Sequence, residues 1–183
     1  DEAFNRFGFR MGPFQMSDLA GLDIGWKKGA TTSNPIRDAL CEMDRRGQKT
    51  GAGYYDYDED RNRTPSDVTA KVIQEITGNT EEVILGADVI IETCVYPMIN
   101  EGLNILEEGK AQRPSDNDVI TLNGYGFQRD KRGHMYYADT VGAGKILARM
   151  EQLAEDDGRL APADTLRKLS AGGGRFIDLQ SRA

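Results

Sequence analysis

Apolar residues recur near a 3.6-residue period along most of the chain, and the helices they predict are punctuated by proline at the start and glycine at the end. In GADVIIETCVYPMINEGLNILEEG the positions Val89, Ile90, Cys94, Met98, Leu103 and Leu106 form one such stripe. It predicts the longest helix, from Gly86 to Gly109, bent near Pro97 because proline removes a donor and crowds the preceding turn. NPIRDALCEMDRRG predicts a second helix, capped by Asn34, opened by Pro35 and terminated by Gly47. TPSDVTAKVIQEITG follows the same grammar from Thr64 and Pro65 to Gly78. Further short helices fit SDNDVITLNG, GAGKILARMEQLAED and PADTLRKLS. Only GYYDYDED reads as extended, and it is too short and solitary to build a sheet. The expected fold class is all-α.

The pattern also repeats. When FNRFGFRMGPFQMSDLAG is laid over LNGYGFQRDKRGHMYYADTVG, Asn5, Gly8 and Phe9 fall on Asn123, Gly126 and Phe127 at a spacing of 118. After three extra residues the spacing becomes 121, and Gly12, Asp18 and Gly21 fall on Gly133, Asp139 and Gly142. An internal duplication of a short supersecondary unit explains this. It predicts two tandem homologous helical units: residues 1–57, a connector with a helix at 58–85, and residues 86–183. The second copy follows the Gly86 to Gly109 helix, whereas the counterpart in the first copy would precede Asp1. The chain is therefore expected to be the C-terminal part of a longer protein.

Composition narrows the partners. A net charge of −7 argues against a nucleic-acid backbone as ligand, which needs clustered Lys and Arg. No run approaches the roughly 18 apolar residues of a membrane span, so no membrane span is expected. Cys41 and Cys94 lie in apolar-flanked helical patterns without CxxC spacing and are expected to be buried, reduced thiols, with no metal site. The chain ends in Ser-Arg-Ala, a loose likeness to the peroxisomal tripeptide.

His134 is the single histidine, set in YGFQRDKRGHMYYADTVG, and it occupies the slot that Pro13 fills in the first copy. Proline at that slot opens a helix, so the imidazole is expected to be a helix-start residue and not a catalytic base. Asp18 and Asp139 lie inside short apolar helices, where an aspartate is a poor helix former and costly to bury alone, so each is expected to bracket backbone donors. GQKTGAGYY matches neither GxxxxGK[ST] nor GxGxxG and reads as a connector.

Four segments carry a resemblance: FGFRMGPFQMSDLAGLDIGW, GQKTGAGYYDYD, YPMINEGLNILEEGKAQRPSDNDVITLNGYGF and MYYADTVG. They resemble the C-terminal region of the 3-hydroxyacyl-CoA dehydrogenase family, particularly the multifunctional fatty-acid β-oxidation enzymes. The resemblance implies two helical domains that follow a Rossmann domain, which binds NAD and is absent from this chain along with the catalytic histidine and glutamate. A further family asparagine would fall near Glu92 in the second copy, where the motif is not met. No catalytic residue carries over, and no cofactor is expected in this chain. The family pattern GFPRxxGGPM stands here as GFQRDKRGHM, with Gln128 and His134 in place of prolines.

In the complete enzyme the helical part is expected to close the acyl-CoA cleft, with Met11, Gly12 and Pro13 as an apolar substrate-binding turn. The rival reading is a non-catalytic helical interaction module or an inactive family member. The compartment implied is cytoplasmic for a bacterial source and peroxisomal for a eukaryotic one. Phe4, Phe7, Phe9, Phe14 and Leu19 are expected to leave apolar surface on the first copy, which predicts a homodimer.

Overall fold

The computed structural model describes all residues except 30, 80, 82 and 180–183, so the Ser-Arg-Ala terminus lies outside the described residues. In chain order the elements are α1 (Glu2–Phe7), α2 (Pro13–Ala20), α3 (Pro35–Glu42), β1 (Tyr55–Tyr57), β2 (Arg63–Pro65), α4 (Asp67–Thr77), α5 (Ala87–Glu107), α6 (Pro114–Gly124), α7 (His134–Val141), α8 (Ala143–Asp156) and α9 (Asp164–Gly172). The architecture is all-α apart from one small hairpin. Contacts divide the chain into two units, 1–2 with 11–84 and 3–10 with 85–183.

In the first unit, Asn34 caps α3 as its sequence predicts, its Oδ1 accepting from the Arg37 N–H at 3.1 Å. The helix stops at Glu42, five residues before the expected Gly47, and Asp44 turns the chain at φ 63°. Arg45 explains the early stop. Its guanidinium donates to the Gly53 carbonyl at 2.9 Å, to Asp56 at 2.6 Å and to the Ser66 hydroxyl at 2.8 Å, which a helical continuation would not reach.

Tyr55–Tyr57 is not solitary. It pairs antiparallel with Arg63–Pro65, Tyr55 opposite Pro65 and Tyr57 opposite Arg63. Thr64 and Pro65 are thus strand residues, and α4 starts two residues later than expected with Ser66 as its cap. A proline is tolerated here because a strand's end needs no N–H from it. Leu22, Leu40, Cys41 and Val72 form this unit's core.

In the second unit α5 is the long helix, and it continues through Pro97 as one element. Its buried positions include Ile91, Val95, Tyr96, Ile99, Leu103 and Leu106. The expected stripe was out of phase in the first half: Val89 and Cys94 are exposed, so only Cys41 of the two thiols is buried. This helix carries apolar residues on more than one face, and periodicity alone does not choose among them. Ile146, Met150, Leu166 and Phe176 complete the core.

Phe4, Phe7 and Phe9 also join this core, with the Phe7 and Phe9 rings 5.8 and 5.4 Å from Phe127. The expected exposed patch therefore shrinks: of its five residues only Phe14 and Leu19 remain exposed, at 48% and 52%.

Buried Asn100 ties α5 to the approach of α9, donating to the Ala161 carbonyl at 3.0 Å and accepting from the Ala163 N–H at 2.8 Å. Asn100→Ala leaves both backbone groups unpaired and should cost about 2–4 kcal/mol in urea denaturation. Cys94→Ala, on an exposed face, should change stability by less than about 0.5 kcal/mol.

Candidate functional site

The most ordered polar chemistry in each unit is built on two aspartates. In the first unit Asp1 accepts from the N–H groups of Phe14 and Gln15 at 3.0 and 2.9 Å, in the first turn of α2. Asp18, at the other end of that helix, is 1% exposed and accepts from the Tyr54 and Tyr55 N–H groups at 2.8 and 3.0 Å. The Tyr57 hydroxyl adds a third bond to Asp18 at 2.9 Å. Burial, reinforced by that carboxylate, pushes the Tyr57 phenol well above its ordinary range.

The second unit holds the same arrangement. Asp118 accepts from the Met135 and Tyr136 N–H groups at 2.7 and 3.2 Å, in the first turn of α7. Asp139, near the end of that helix, accepts from the Phe176 and Ile177 N–H groups at 2.7 and 3.3 Å. The bracketing role expected of Asp18 and Asp139 is what both side chains do. Asp1 and Asp118 were missed by sequence reasoning. Their signal was the glycine ahead of each helix: a Cβ on Gly12 would fall 2.2 Å from the Asp1 carboxylate, and one on Gly133 2.3 Å from that of Asp118.

Met11, Gly12 and Pro13 lead into α2. Gly12 is buried against Asp1, Met11 is half-buried, and Pro13 is the exposed first residue of the helix. The next residue, Phe14, lines a cleft of about 320 Å³ together with Ile36, Tyr54, Tyr55 and Ile73. The expected turn thus lies at the edge of an aromatic cleft in its own unit.

His134 is the first residue of α7, as predicted, but it is only 3% exposed. Its Nδ1 lies 3.1 Å from the Thr121 hydroxyl and 3.7 Å from Asp118 Oδ1. Burial holds the imidazole down at about 4. Burial also pushes the Asp118 carboxyl up to about 6, against the Met135 and Tyr136 N–H bonds that lower it. The ring is consequently neutral near pH 7, and the carboxyl is mostly ionised.

The glycine-rich loop at Gly47–Gly53 does not fit a dinucleotide. A Cβ on Gly47 or Gly53 would fall 2.2 Å from the Asp18 carbonyl or 2.0 Å from its carboxylate, so these glycines admit Asp18 and leave no cradle for a phosphate. No group of three or more His, Cys, Asp or Glu side chains suited to a metal occurs among the described residues. No described helix is long and apolar enough to cross a membrane.

Residues 1–57 match the family model of the 3-hydroxyacyl-CoA dehydrogenase C-terminal domain. Over 94% of its length the chain is 40% identical to the peroxisomal bifunctional enzyme of Cavia porcellus, of which it covers 28%. It is 30% identical, over 96% of its length, to the fatty acid oxidation complex subunit alpha of Shewanella frigidimarina (strain NCIMB 400), covering 26% of that protein. The chain therefore spans little more than a quarter of these curated relatives. Its fold is similar to a portion of the dehydrogenase part of multifunctional enzyme 1 from C. elegans, with a TM-score of 0.69 at 24% identity over 92% of this chain and 40% of that one.

The opposed shifts of Asp118 and His134 predict a distinctive pH dependence. Asp118 binds its proton more tightly when folded, so its contribution falls as pH rises from 3.8 to about 6. His134 binds its proton less tightly when folded, so its contribution rises with pH from about 4 to 6.5. Each slope is worth on the order of 3 kcal/mol, and in the native chain they largely cancel. Urea melts across this range should show stability rising with pH in Asp118→Asn and falling with pH in His134→Phe, each relative to the native chain. Parallel pH profiles for all three proteins would refute the assignment.

Proposed function

We propose that the chain, whose residues 1–57 match the family model of the 3-hydroxyacyl-CoA dehydrogenase C-terminal domain, belongs to that family and serves as the helical part of an NAD-dependent 3-hydroxyacyl-CoA dehydrogenase of fatty-acid β-oxidation. The complete enzyme oxidises the 3-hydroxyl of an acyl-CoA to the ketone and passes hydride to NAD. The observation that carries this reading is identity of 40% spread over 94% of the chain, with a relative named as a bifunctional enzyme of the peroxisome. The same name supports a peroxisomal compartment.

NAD is held outside this chain, a division of labour supported by the close packing of Gly47 and Gly53 on Asp18. The chain's own contribution is binding and orientation of the acyl-CoA, for which it closes one side of the cleft with the turn at Met11, Gly12 and Pro13. The half-buried Met11 thioether and the neighbouring aromatic cleft at Phe14 and Tyr54 support an apolar contact there.

The reading includes a tandem duplication. Its support is the matched pair of carboxylate brackets: Phe14 and Gln15 correspond to Met135 and Tyr136 at a spacing of 121, as Asp18 does to Asp139. We place the copies at 1–57 and 86–183, with 58–85 as the connector. Self-association into a homodimer also belongs to the proposal, supported by the exposure of Phe14, Met16 and Leu19 on α2.

Kinetics and sedimentation test it. The complete protein encoded with this chain should oxidise 3-hydroxybutyryl-CoA with NAD, and Met11→Ala should raise KM about threefold or more with kcat little changed. The 183-residue chain alone should not turn over acetoacetyl-CoA with NADH. Turnover by the isolated chain would overturn the placement of NAD and the catalytic groups outside it, and an inactive complete protein would favour the interaction-module reading. Sedimentation of the chain should give about twice its 20.2 kDa mass, reduced by Phe14→Glu.

A further inference from the structure

Between α5 and α6 of the second unit lies a groove of about 440 Å³, within the size range of small-molecule sites. Pro97, Met98, Ile105, Ile120 and Tyr125 form its walls, and Gly102 and His134 form its floor.

Two of the polar side chains on the lining, Asn117 and Thr121, bond to neighbouring groups. Asn117 Nδ2 donates to the Gly102 carbonyl at 2.9 Å. The Thr121 hydroxyl has a single proton, which its 3.1 Å contact with the Asp118 carbonyl takes. Its contact with His134 Nδ1 then requires the ring's proton, and the Asp118 carboxylate 3.7 Å away favours a proton on that same nitrogen. These contacts favour the Nδ1–H tautomer, in which Nε2 carries a lone pair.

Nε2 lies against Gly102, close enough that a Cβ there would sit 2.7 Å away, and it has no partner among the described residues. It is not among the fully buried atoms left unpaired, and the side chain's residual 4% exposure opens onto the groove it lines. Once a ligand displaces the water that can reach it, this acceptor selects for a donor, because leaving it unpaired would be costly. The charges that face the site are both negative: Glu101 at the rim and Asp118 behind the ring. They oppose a carboxylate or phosphate.

We propose that this groove binds a neutral aliphatic molecule bearing one hydroxyl or amide N–H, which donates to His134 Nε2 while its chain lies along Met98, Ile105 and Ile120. The site is argued from this chain alone and does not depend on the dehydrogenase reading. Its ligand class follows from three features acting together: apolar walls, an acceptor on a buried ring, and an acidic surround.

The test uses the full 183-residue chain labelled with ¹⁵N-histidine, and 1-decanol as the probe, with decane and decanoate as controls. The free protein should show a pyrrole-type Nδ1 and a pyridine-type Nε2 resonance. Saturation with decanol should shift Nε2 and leave Nδ1 nearly fixed. Decanol should bind about tenfold or more tightly than either control. His134→Phe should abolish the preference of decanol over decane, and Ile120→Glu, at a position 57% exposed, should abolish decanol binding without lowering Tm. The second variant keeps the test decisive if the first fails to fold. Equal binding of decanol and decane, preferred binding of decanoate, an unmoved Nε2 resonance, or no decanol binding up to its solubility limit would each overturn the proposal.

Discussion

Each unit depends on carboxylates taken out of water and surrounded by backbone N–H groups from distant parts of the chain. Burying an ionised aspartate is costly unless its oxygens are satisfied, and charge-assisted bonds from backbone amides are among the stronger ways to satisfy them. Asp18 gathers three donors from Tyr54, Tyr55 and Tyr57, and in doing so fixes the start of β1 against α2. Asp139 does the same for the turn at Phe176, a residue 1% exposed at the base of the second core. These contacts span 36 to 39 residues, so they join segments that no local propensity would bring together.

The glycines follow from that constraint. Where a carboxylate must lie directly on a neighbouring backbone there is no room for a Cβ, and Gly12, Gly53 and Gly133 stand at such points. The cluster of glycines at 47–53 resembles a phosphate loop in composition because both need close approach to an anion. Here the anion is the protein's own Asp18.

Much of this was legible in the sequence. Proline and glycine at the ends of α2, cap chemistry at Asn34, and the alignment of Asp18 with Asp139 all depend on residues near in sequence or matched by repetition. What was not legible depended on tertiary competition. Gly47 looked like a terminator, but Arg45 is drawn to Gly53, Asp56 and Ser66 and ends α3 earlier. Thr64 and Pro65 looked like a helix start, but pairing with Tyr55 and Asp56 claims them first. In α5 the apolar residues wrap more than half the helix, so the period gave its existence and not its phase. Phe4, Phe7 and Phe9 read as exposed apolar surface in the sequence because the core that takes them is built by helices distant along the chain.

Asp1 and Asp118 also explain why the residue opening each of the two helices is free to vary. Each carboxylate bonds the second and third N–H groups of its helix, from Phe14 and Gln15 in one case and from Met135 and Tyr136 in the other. The first position is left with no N–H that the cap requires, so proline is accommodated in one unit. The same freedom lets His134 stand there in the other unit at no cost in capping. Because Asp118 reaches this turn from 16 residues upstream, it comes to lie beside the imidazole that occupies the first position. Burial raises the affinity of the acid for its proton and lowers that of the base, so the two remain an ionised carboxylate and a neutral ring near neutral pH. A position released from one structural duty by a distant cap thus acquires a second property, an uncharged acceptor held at the floor of an apolar groove.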